Sequence, residues 1–198
     1  MKKGLLIASL AAAGVLAPMA AFAHTGAGET AGLVHGFMHP LGGLDHILAM
    51  VAVGMFAVCL GGRAVWLVPV SFVVMMAVGG LLGVQGVAVP FVETGIAASV
   101  IVLGLAVAMR WTVPVAAAMG LVGVFAVFHG YAHGAEMPVD ASGFGYAMGF
   151  MLATALLHVA GVAAGFGIGR YGARSTLMLR ASGGAMATAG VAILSGLI

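Results

Sequence analysis

The chain has 198 residues, 63% of them hydrophobic and only 6% charged. A soluble domain carries about 25% charged residues, so this composition belongs to a membrane protein, and a formal charge of +2 on so few ionisable groups gives no basis for nucleic-acid binding. Cys59 is the single cysteine, which excludes an internal disulfide and a thiolate metal cluster.

Residues 1–23 read as a secretory signal peptide. Lys2 and Lys3 form the basic start, Leu5 to Leu16 the apolar core, Pro18 a helix break, and Ala21-Phe22-Ala23 an A-x-A cleavage site. The competing reading is an uncleaved anchor helix from Gly4 to Phe22. Cleavage would leave His24 as the mature N-terminus outside the cytoplasm, where an amine and an imidazole can chelate one ion.

Residues 24–198 then form one domain, an all-α bundle of six transmembrane helices, at about 20 apolar residues per span. The expected spans are about 35–60, 64–84, 91–109, 112–133, 143–168 and 177–197. The connections leave no room for a soluble domain. With His24 outside, loops one, three and five are cytoplasmic. They hold Arg63, Arg110, Arg170, Arg174 and Arg180, every basic residue of the mature chain. The outer segments hold Glu29, Glu93, Glu136 and Asp140. This sorting matches the positive-inside rule and places the chain in an inner membrane with both mature termini periplasmic. Glycines at Gly79/Gly83, Gly145/Gly149 and Gly161/Gly165/Gly169 allow close helix approach and predict a compact bundle.

The first span contains His35-Gly-Phe-Met-His39-Pro-Leu-Gly-Gly-Leu-Asp45-His46. Ionisable groups beside a membrane span are costly and tend to mark binding or transport. On an ideal helix His35, His39 and His46 fall at about 0°, 40° and 20°, one face, with Asp45 about 80° to the side. Pro40, Gly42 and Gly43 are expected to interrupt or tilt that helix. Asp45 has two possible roles, a direct ligand or a partner that orients an imidazole. The fourth span ends Phe128-His129-Gly-Tyr-Ala-His133-Gly-Ala-Glu136, where His129 and His133 are i,i+4 neighbours able to chelate one ion. By the topology both groups lie at the outer side, so convergence on one site is expected, with Glu93 at the start of span three as a further donor. His158 lies some 15 residues into span five, roughly 22 Å from its outer end. It is read either as a deeper station on an ion path or as a core histidine bonded to a neighbouring helix. A polar network that only joins helices is the plain alternative for the other histidines.

Imidazole with carboxylate suits nickel, cobalt or zinc, and the ligand types do not choose among them. The 14 methionines are spread as apolar filler, and no M-x-M or M-x-x-M cluster stands at the outer mouth, which disfavours copper.

His39-x5-Asp45-His46 together with Phe128-His-Gly-Tyr-Ala-His-Gly-Ala-Glu136 resembles the HupE/UreJ family. The resemblance extends through the leader, the His24 start and the six spans. It implies a hydrogenase or urease accessory membrane protein that is not an enzyme. Its cargo is nickel, or cobalt, passed without nucleotide hydrolysis; no cofactor is permanently bound. The expected partners are the divalent ion, the lipid bilayer and metallochaperones of hydrogenase or urease. The resemblance carries over to His39, Asp45 and His46 as a first motif and to His129, His133 and Glu136 as a second. Two other functions compete: an intramembrane zinc hydrolase, and a metal-binding scaffold or sensor. No H-E-x-x-H supports the hydrolase and no G-x-x-x-x-G-K-[ST] supports ATP coupling.

Overall fold

The computed structural model describes residues 28–137 and 143–198. The leader 1–23, His24 and Asp140 lie outside the described residues. The described chain is all-helical: α1 (Gly28–Met38), α2 (Leu44–Leu60), α3 (Ala64–Val84), α4 (Val92–Ala108), α5 (Val115–Ala135), α6 (Gly143–Gly169), a 3-10 turn (Gly172–Arg174) and α7 (Ser175–Leu194). Four helical stretches are long and apolar enough to cross a membrane: α3, α5, α6 and Gly172–Leu194. α2 and α4 are apolar but have 17 residues each. The protein is a multi-pass, all-α membrane protein.

Glycines bring the helices together. A Cβ on Gly79 would collide with the Val127 carbonyl, and one on Gly83 with the Tyr131 carbonyl. These pairs advance together in number, so α3 and α5 run parallel, backbone against backbone. The same reasoning makes α2 parallel to α6, since Gly54 meets His158 and Gly165 meets Val58. It makes α4 antiparallel to α7, through Gly104 with Ala187 and Gly183 with Ala108. Small residues permit this approach where lipid-like side chains offer no hydrophobic gain. Phe56, Phe72, Met50, Met55, Met76 and Leu103 fill the interior.

The segment 35–60 is not one helix. Gly36 packs on the Tyr146 carbonyl and Gly149 on the Leu33 carbonyl, so α1 runs antiparallel to α6 while α2 runs parallel to it. The chain therefore reverses over residues 39–43. Pro40 has no N–H to continue the ladder, and Gly42 N–H turns back to the His39 carbonyl at 3.0 Å. The single-face wheel for His35, His39 and His46 is accordingly corrected. His35 belongs to α1, His39 to the reversal and His46 to α2.

Candidate metal site

α5 carries two parallel stripes set about 100° apart, the angle between successive helix residues. Gly130 packs on the Met76 carbonyl and Gly134 on the Gly80 carbonyl, which fixes one stripe on α3. His129 and His133, each one residue earlier, are then turned inward. His129 is fully buried and His133 is 3% exposed.

α2 delivers His46 to the same place. The His46 ring lies 4.5 Å from that of His133 and 4.8 Å from that of His129, centroid to centroid. Asp45 Oδ1 accepts the His46 backbone N–H at 2.8 Å and bonds Nδ1 of the same residue at 2.7 Å. A carboxylate only accepts, so Nδ1 carries the proton and Nε2 keeps its lone pair. That Nε2 is buried and has no hydrogen-bond partner. Of the two roles open to Asp45, the geometry favours orienting His46. Gly43 makes the arrangement possible. A Cβ there would stand 2.6 Å from Asp45 Oδ1 and 2.9 Å from His46 Nδ1, inside contact distance.

The reversal supplies the outer members. The His39 ring is 4.7 Å from His133, and its Nε2 is 3.4 Å from Glu136 Oε2. His35 is exposed and stands 6.5 Å from His39. α6 faces this line with a four-residue stripe. Tyr146 lies beside His35 and His39, Phe150 is 4.0 Å from the His133 ring, Thr154 Oγ1 donates to Met76 Sδ at 3.6 Å, and His158 ends the row. Phe72 stands between the cluster and His158, 5.6 Å from His129 and 5.1 Å from His158.

Two motifs distant in sequence thus form one continuous file of imidazoles. Its side-chain exposure falls from 30% at His39 to 12% at His46. It reaches zero at His129 and continues past a phenyl ring to His158, itself 2% exposed. Glu93 is not brought in. It is exposed in the first turn of α4 and makes no ion pair with the cluster among the described residues. α4 contributes Ser99 instead, whose Oγ lies 2.9 Å from His129 Nε2. Sequence reasoning missed Ser99, Phe72, Tyr146 and Phe150. Ser99 carried a signal, being the sole polar side chain between Gly95 and Met109. So did the four-residue spacing that links Tyr146, Phe150 and Thr154 to His158.

Both nitrogens of His133 and of His158, together with Nδ1 of His129 and Nε2 of His46, are buried without hydrogen-bond partners. Buried polar atoms are ordinarily satisfied, so these unpartnered imidazole nitrogens, one N–H and one lone pair on each of His133 and His158, set the file apart from the apolar interior around it. No three His, Cys, Asp or Glu donors among the described residues are already gathered into one coordination shell. The donors instead stand in a file of neighbouring rings.

A family model described as HupE / UreJ protein matches residues 11–193. The chain belongs to the HupE/UreJ family. Protein HupE of Rhizobium leguminosarum bv. viciae is 47% identical over 196 residues, covering 99% of this chain and 100% of that one. No solved structure matches the chain. HupE/UreJ proteins are accessory membrane proteins and not enzymes, which removes the hydrolase reading.

Proposed function

We propose that the protein is an uptake permease for a divalent transition metal, nickel or cobalt, in a bacterial inner membrane, and that it supplies hydrogenase or urease maturation. The observation that carries this reading is the file of imidazoles running from exposed His35 through His39, His133, His46 and His129 toward His158. Nitrogen donors with a carboxylate nearby suit these ions. A series of partial sites also suits conduction, because an ion held by a complete cage does not leave readily. Glu136 at the mouth attracts cations and His39 passes them inward. Phe72 separates the outer group from His158, the deeper station.

The topology of this reading has six crossings after a cleaved leader. α2 and α4, at 17 residues each, extend about 26 Å, most of a hydrocarbon core of about 30 Å. Arg63, Arg110, Arg170 and Arg174 lie at helix ends or connections and Arg180 in the second turn of α7; the positive-inside tendency supports a periplasmic histidine mouth. Membrane potential contributes about 2.3 kcal/mol per charge per 100 mV to cation entry. Inside the cell, metallochaperones of hydrogenase or urease would take the ion.

The test is radioactive nickel flux into proteoliposomes holding the purified protein, with an inside-negative potential imposed. Saturable entry, competed by cobalt and lost in His46→Ala, is expected. Nickel binding without any flux would replace the permease with a metal-binding scaffold.

A further inference from the structure

Ser99 has one hydroxyl proton and two neighbours. Its Oγ donates to the Ile96 carbonyl at 2.6 Å, one turn back on α4, and lies 2.9 Å from Nε2 of His129. Since the proton is engaged by Ile96, the oxygen is left to accept, and Nε2 of His129 must donate. A neutral imidazole carries one N–H, so Nδ1 of His129 holds the lone pair. That atom is buried with no hydrogen-bond partner. Ser99 and His129 are both fully enclosed, so water does not compete for the bond.

We propose that Ser99 is a positioning residue for transport, holding His129 in the Nε2–H form so that Nδ1 is the nitrogen offered to the ion. This rests on the permease reading for its metal but not for its tautomer. His46 is the mirror case: Asp45 holds its Nδ1, leaving Nε2 free. The two neighbouring rings, perpendicular to one another, therefore use opposite nitrogens. Each is fixed by a partner on its other side, as ligating imidazoles generally are. Without Ser99, His129 is free to exchange tautomers and to turn about its ring bond, and Nδ1 loses its preference.

The experiment uses full-length protein in detergent with 15N-labelled histidine, without metal, the His129 signal being the one lost in His129→Gln. In the wild type the His129 signals should show protonated Nε2. Ser99→Ala should lose that preference and Ser99→Thr, which keeps the hydroxyl, should retain it. Nickel titration of the same samples should show binding at least about 10-fold weaker in Ser99→Ala, with Ser99→Thr near the wild type. Ser99→Ala removes one oxygen and leaves the helix intact, so it decides the matter even if the threonine variant does not fold. Protonated Nδ1 in the wild type, an unchanged His129 spectrum in Ser99→Ala, or equal nickel affinity in Ser99→Ala would each overturn the proposal. A wild-type protein that binds no nickel would defeat the permease reading, and the spectra alone would then judge the tautomer.

Discussion

Asp45 holds Nδ1 of its own neighbour, His46, at 2.7 Å, and by doing so selects the nitrogen that His46 presents to His129 and His133. Asparagine is the informative replacement because it keeps the shape and loses the charge. Asp45→Asn should weaken nickel binding by about 10- to 100-fold, the usual effect of removing a partner behind a ligating imidazole. Helical content should not change. Calorimetric titration of purified protein measures it. Affinity equal to the wild type would mean that His46 needs no orienting partner.

His46 and His133 have ring centroids 4.5 Å apart and belong to different motifs. If they share an ion, the second substitution acts on a site already broken. His46→Ala and His133→Ala should each reduce nickel binding strongly, and the double variant should lose much less than the sum of the two. Additive losses would separate the motifs into independent sites.

Acid should weaken binding at this site. A protonated imidazole has no lone pair for a metal, so protons and nickel compete. Affinity should be highest near pH 7 and above and fall steadily toward pH 5. The same titration repeated across that range reads the effect. A flat profile would mean that protons do not compete for the donors over this range, as burial that disfavours a charged imidazole would bring about.

Gly130 and Gly120 share α5 but differ in what a side chain would meet. A methyl group on Gly130 enters the Met76 carbonyl, whereas Gly120 faces nothing within 4 Å. Gly130→Ala should lower stability by about 1–3 kcal/mol through overpacking and turn His129 off line. Gly120→Ala should be neutral or stabilising by up to about 1 kcal/mol. Thermal unfolding in detergent, with nickel binding as a second readout, compares them. Equal behaviour of the two variants would remove the glycine contact as the device that aims the histidines.

Orientation is tested by reporter fusions. Fusions after Arg63, Arg110 and Arg174 should read cytoplasmic, and one after Asp140 periplasmic. A periplasmic result at Arg174 would overturn the six-crossing topology.

Composition and hydropathy were enough for the all-α membrane class, because a bilayer requires each segment to satisfy its own backbone and be apolar over its length. The two motifs and their membership of HupE/UreJ were also legible, since they are local strings. The break near Pro40 could be anticipated from proline's missing N–H. The reversal that sends α1 back along α6 could not, because it depends on Gly36 and Gly149 meeting Tyr146 and Leu33. Nor could the partners of the imidazoles. A helix that is apolar on every side has no polar face to reveal which residues point inward. Ser99 stands out as the one polar side chain of its stretch of α4, but its partner is unreadable until α5 is packed beside it, and Phe72 is one more apolar residue until His129 and His158 stand on either side of it. Tertiary packing also chose among the carboxylates. It set Glu136 beside His39 and left Glu93 exposed in the first turn of α4, whereas Asp45 reaches His46 through a contact between neighbours in the chain.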